Sequence, residues 1–196
     1  MIGGTNQENI NLVGDGDVVG RDKKEIHYHY GTSNNTKLKV LFDSLYNEVQ
    51  KDEKLKNICE ELTRYLTDKD TIGLEKKLQD GGYGSDYILD AIEQKEIFAK
   101  KLYRFQEYES AQYIYVELLA LIKTNFQDFI YPLIQSESDK VTISHAIREH
   151  IINPIIRTLS LEGAQDTVLN LNAEEVRGML YYLTGRCHIK WTYDSI

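Results

Sequence analysis

The residues best suited to chemistry in this 196-residue chain lie near its start, in GDGDVVGRD at residues 14–22 and IHYHY at residues 26–30. Glycines set among acids and β-branched residues fit a phosphate loop, a calcium loop, or a β segment with turn residues. The phosphate reading fails on spacing and charge. No GxxxxGK[ST] run exists, and GDGDVVG is GxGxxxG rather than GxGxxG, with Asp15 and Asp17 where a pyrophosphate would have to approach. Calcium suits Asp15, Asp17 and Asp22 as hard oxygen ligands. Yet the closing bidentate glutamate and flanking helices of an EF-hand are missing, and so is a long β-roll repeat.

The histidines offer no better site. His27 and His29 share one face of a strand but have no third ligand at a recognisable spacing. His145 and His150 are five residues apart, about 140° around a helix, and would not point at one metal. There is no GxSxG elbow, and no serine or cysteine stands beside a plausible base. We therefore expect no catalytic residues, no metal, no cofactor and no enzymatic activity.

The elements that would position these residues divide into an appendage and a body. Residues 1–31 read as a Gly/Asp-rich β segment, residues 32–37 as a polar linker, and residues 38–196 as a helical domain with an extended C-terminal tail. Leu38, Leu41, Phe42, Leu45, Tyr46 and Val49 form one helical face, with Asn35 or Thr36 as its cap. Leu55, Ile58, Cys59, Leu62, Tyr65 and Leu66 form a second stripe. A short helical turn before Gly81, Gly82 and Gly84 and a longer helix between Asp86 and Gln106 follow.

The segment ESAQYIYVELLALIKTNFQDFIYPLI is apolar nearly all round, which predicts a buried central helix that Pro132 ends or kinks. Another helix starts at the capping residues SESD and runs toward Pro154. The last has Asn172 as N-cap, Glu174 and Glu175 at the positive end of its dipole, and Gly185 at C′. The tail RCHIKWTYDSI reads as a short strand or extended arm. The expected fold is mainly α: a bundle of about six helices with a short N-terminal β oligomerisation segment.

Composition narrows the function. A net charge of −8 argues against a surface that grips nucleic acid everywhere. Cys59 and Cys187, far apart and outside any CxxC, are expected as reduced core residues. No apolar run reaches the roughly 18 to 20 residues of a membrane span, and MIGGTNQENIN has neither the basic nor the apolar region of a signal peptide. A cytoplasmic location is the expectation.

The appendage has its own logic. Val13-Gly14 and Val19-Gly20 repeat a small β-branched unit, and Ile26, Tyr28 and Tyr30 share one strand face. So short a segment cannot offset its chain entropy alone, at roughly 1 to 2 kcal/mol per residue. Its strands need partners, and copies from other subunits supply matching edges. Val13, Val18, Val19, Ile26, Tyr28 and Tyr30 are accordingly expected in a homo-oligomer interface, with Asp15, Asp17 and Asp22 at its turns.

Gly14, Asp15, Gly16, Asp17, Val18, Val19, Gly20, Arg21 and Asp22 resemble the GDGNVVGRD segments that precede effector or helical domains in bacterial conflict and antiviral proteins, with Asp17 where asparagine is usual. At the other end, VRGMLYYLTGRCHIKW, residues 176–191, resembles the ending of C-terminal domains in three-component ABC-ATPase conflict systems, relatives of the Lamassu antiphage systems. That likeness rests on Gly178, Leu183, Cys187, His188 and Trp191. It implies a non-enzymatic assembly or regulatory subunit that couples an ABC/SMC-like ATPase or a nuclease effector through its helical domain.

Two readings of the C-terminal residues stay open. Trp191 caps the core, or Arg177, Arg186, His188, Lys190 and Trp191 form a partner-binding Arg-aromatic anchor. The competing function is a nucleic-acid-binding accessory protein using a basic-aromatic patch of Lys100, Lys101, Arg104, Arg186 and Lys190.

Overall fold

The computed structural model describes residues 36–69 and 72–192, all in the unit Asn35–Ile196. The predicted oligomer interface, Val13, Val18, Val19, Ile26, Tyr28 and Tyr30, lies outside the described residues.

Helix α1 (Lys37–Lys51) buries Leu38, Leu41, Phe42 and Leu45, the face read from the sequence. Thr36 caps it, its hydroxyl accepting from the Lys39 amide at 3.3 Å, and Asp52 ends it in the left-handed region at φ 52°. Helix α2 (Glu60–Leu66) is shorter than the stripe suggested. Residues 53–59 are irregular, and nonlocal bonds hold them: the Leu55 amide donates to the Glu107 carbonyl at 2.7 Å. Gln112, buried within α5, clamps the same segment: its Oε1 accepts from the Cys59 amide at 2.7 Å and its Nε2 donates to the Asn57 carbonyl at 3.3 Å.

Helices α3 (Leu74–Asp80) and α4 (Ser85–Phe105) flank the glycine loop. Helix α5 (Glu109–Asn125) is the central one, with Ile114, Tyr115, Leu119 and Ile122 fully buried. It runs without a break through a π turn, Phe126–Ile130, into α6 (Tyr131–Gln135). Helix α7 (Lys140–Ile147), capped by the Asp139 carboxylate on the amides of Val141 and Thr142, likewise passes through a π turn, Arg148–Ile152, into α8 (Asn153–Glu162). Helix α9 (Ala173–Gly185) completes the set.

Counting each π-joined pair as one rod gives seven continuous helices among the described residues, against the six or so expected, and no strand. Neither proline acts as a stop. A proline lacks the N–H and its ring presses on the carbonyl four residues back. Here a wider turn lies immediately ahead of Pro132 and of Pro154, where the Tyr131 and Asn153 amides reach the Phe126 and Arg148 carbonyls instead. The bundle packs α4 against α9 along most of the latter's length, and α1, α2 and α9 around α5.

Candidate functional site

The site is built from the last helix outward, because α9 and the chain beyond it carry the residues of the C-terminal resemblance. Asn172 starts α9 with a reciprocal cap. Its Oδ1 accepts from the Glu174 and Glu175 amides at 2.7 and 3.4 Å, and Glu175 Oε2 accepts from the Asn172 amide at 3.1 Å. Glu175 is only 6% exposed. Its charge is met by Lys101 of α4, whose Nζ also donates to the Leu169 carbonyl at 2.7 Å. One lysine thereby ties α4 to the loop before α9 and to its first turn.

Gly178 lets the two helices meet. A Cβ there would stand 2.4 Å from the Gln94 carbonyl oxygen and 2.8 Å from Phe98 Cβ. A backbone oxygen cannot rotate away, so only glycine fits this crossing. Met179, Leu180, Tyr182 and Leu183 are buried in the bundle.

Helix α9 ends differently from expectation. Gly185 is its last residue, and the left-handed position falls on Cys187, at φ 64°. The His188 amide donates to the Leu183 carbonyl at 2.8 Å and the Cys187 amide to the Thr184 carbonyl at 3.0 Å, the paired bonds of a Schellman stop. This turn folds the chain back onto the bundle. Of the two readings of the tail, short strand or extended arm, residues 186–192 form no strand, and they bury Ile189 and Trp191.

Trp191 is 3% exposed. Its Nε1 donates to Thr184 Oγ1 at 2.9 Å, and its ring meets Tyr83 and Phe126, each at 5.3 Å between centroids. Tyr83 stacks on Tyr87 at 4.4 Å, and the Tyr181 hydroxyl donates to the Tyr87 hydroxyl at 2.9 Å. Burial raises the pKa of all three phenols, so they stay neutral and serve as packing. Outside the tryptophan, a cleft of about 640 Å³ is lined by Asp80, Tyr83, Ile134, Lys140 and Ile143. Lys140 closes part of it, with its ammonium 4.5 Å from the Tyr83 ring centroid and bonded to the Gly81 carbonyl.

The structure separates the five residues offered as a partner anchor. Trp191 and His188 are interior, the core-capping alternative for the tryptophan. Arg186 is half-buried, paired with Asp68 at 3.1 Å and laid over the Tyr182 ring. Arg177 and Lys190 are exposed. The basic-aromatic patch does not assemble either. Lys101 is bound at the start of α9 and Arg186 follows its end, about 16 Å away along the axis, while Lys100 lies beside Glu96. Both cysteines are free thiols and only partly buried, Cys59 with its pKa raised by burial.

A second cluster surrounds His188 and was not foreseen. Its ring lies 5.4 Å from that of Tyr65, is 7% exposed, and has a hydrogen-bond partner at neither nitrogen. The Arg64 guanidinium stands over the same Tyr65 ring at 5.3 Å. Burial first, and then the positive charges of Lys69, Lys123 and Arg64, outweigh an approach to the Tyr65 backbone and hold the imidazole down at about 4, so it is neutral near pH 7. Burial and the same neighbours Lys69 and Arg64 lower the Lys123 pKa.

Against known proteins, one family matches: residues 73–191 fit C-terminal domain 9 of the ABC-three component (ABC-3C) systems. The match runs from the residue before α3 to Trp191 and covers more than half of the chain. No curated protein matches, and no solved structure matches.

Proposed function

We propose that this chain, which belongs to the family of C-terminal domain 9 of the ABC-three component (ABC-3C) systems, is the assembly or regulatory subunit of a bacterial defence complex. In this reading the helical domain docks on an ABC/SMC-like ATPase or on an effector, and residues 1–31 join copies of the chain through paired strands. The observation that carries it is the span of the family match. It covers the α3, α4 and α9 block and ends on Trp191, the residue that seals that block.

The chemistry of the shared residues supports a scaffold. Gly178 permits a close helix crossing, Leu183 fills the core, Cys187 turns the chain, and Trp191 covers the aromatic stack. Each contributes to a rigid platform. Rigid helical platforms suit protein partners, whose binding needs pre-organised surface more than reactive side chains. Of the anchor residues expected from the sequence, Arg177 and Lys190 are exposed, which supports a role for them at such a surface.

Mass photometry tests both halves. The full chain at micromolar concentration is expected as an oligomer and the chain lacking residues 1–31 as a monomer. Monomers in both samples would remove self-association through that segment. Adding the ABC ATPase subunit of the same system is expected to give a heavier complex with either chain.

A further inference from the structure

The cations around His188 share a feature that the assembly reading does not use. Arg64 of α2, Lys69 just beyond it and Lys123 of α5 have no carboxylate within ion-pair distance among the described residues. The nearby acid, Asp68, is bound to Arg186. On a chain of net charge −8 acidic side chains are plentiful, yet among the described residues none is ion-paired with these three cations. Uncompensated like charges at close quarters raise the energy of the empty site, and an arriving anion recovers it.

The buried ring gives the second, independent sign. A side chain that is 93% covered and makes no hydrogen bond of ordinary geometry at either nitrogen, only a poorer approach to the Tyr65 backbone, is left under-satisfied at a desolvation cost. Groups in that condition are rare unless a ligand completes them. Neutral imidazole has one N–H to give, and the Arg64 fork and two ammonium groups supply the remaining donors. Several donors with a net charge near +3 suit a phosphate better than a single carboxylate, since phosphate carries up to two charges and more acceptor oxygens.

We propose that Arg64, Lys69, Lys123 and His188 form a binding site for a phosphate group, carried either by a nucleotide or by a nucleic-acid strand. The site lies at the junction of α2, α5 and the turn after α9. It goes beyond the assembly function, which stands or falls separately.

The experiment titrates inorganic phosphate, ATP and a single-stranded oligonucleotide into the full chain, with sodium chloride at matched ionic strength as the control. Binding is read by calorimetry and by NMR of the His188 ring protons. Saturable binding with a shifted His188 resonance is expected. ATP tighter than the oligonucleotide assigns a nucleotide, and the reverse order a strand. Lys69→Gln with Lys123→Gln should weaken binding by at least about tenfold, the loss of a charge-assisted hydrogen bond. Lys100→Gln should leave it unchanged. Because both substitutions relieve repulsion, the double variant should also melt no lower than the parent without ligand. No saturable binding of any of the three, or equal binding by the double variant, overturns the proposal.

Discussion

Gly178→Ala isolates the contact on which the domain turns. The added Cβ would sit 2.4 Å from the Gln94 carbonyl oxygen and 2.8 Å from Phe98 Cβ, whereas ordinary contacts begin at 3.4 Å. The shortfall is about 1 Å, and both obstacles belong to α4 near its backbone. Relief therefore requires α4 and α9 to part along their shared face. Overpacking of this kind costs about 1–3 kcal/mol, and a gap of 0.5–1 Å forfeits roughly a quarter to a half of each dispersion contact. Alanine returns about 1 kcal/mol through helix propensity. The net expectation is a loss of about 1–2 kcal/mol, or about 2–8 °C in Tm for a domain of this size. Urea denaturation followed by circular dichroism measures it as a lower midpoint at unchanged slope. Gly185→Ala is the control, because its Cβ would meet only the flexible Lys95 side chain, from 3.3 Å outward. That variant should be neutral or slightly stabilised. A Gly178→Ala protein as stable as the parent would refute the close-crossing argument.

Other outcomes follow from the turn after α9. His188 has a folded pKa of about 4 against an ordinary 6.5. Between those values the unfolded chain binds the extra proton, so stability should fall as pH drops from 6.5 toward 4, by on the order of 2–3 kcal/mol. His188→Phe cannot charge, and the difference between the two proteins' stability-pH curves should show that slope, vanishing above pH 7. Cys187→Gly should raise stability by about 1 kcal/mol, since cysteine at φ 64° bears the left-handed penalty that glycine escapes. A lower melting temperature in that variant would show that the thiol's contact with the Ile72 carbonyl at 3.5 Å outweighs the backbone term.

Local chemistry made much of the fold legible. The face of α1, the Thr36 and Asp139 caps, the all-round apolar α5 and the Asn172 box are each written in neighbouring residues. What could not be read depends on distant partners. Leu55, Ile58 and Cys59 continue a helical stripe, yet Gln112 and Glu107 hold that backbone out of helix. Pro132 and Pro154 look like stops because nothing local announces a π turn. Gly185 drew the C′ assignment by residue type, although the chain turns two residues later, where the Leu183 and Thr184 carbonyls are met.

The candidate site shows the same division. Arg186, Lys190 and Trp191 stand close in sequence, but the turn at Cys187 sends tryptophan inward and leaves Lys190 at the surface. The His188 cluster joins Arg64 and Lys69, Lys123, and His188 itself from three regions of the chain, so no short motif holds it. Its signal in the sequence is only that α2 and α5 each carry a basic residue in the last turn.

The most direct test of the assembly function is mass photometry of this chain mixed with the ABC ATPase subunit of its own system at micromolar concentration. The account predicts one heavier species that contains both proteins and more than one copy of this chain. Two separate populations at the masses of the unmixed proteins would contradict it.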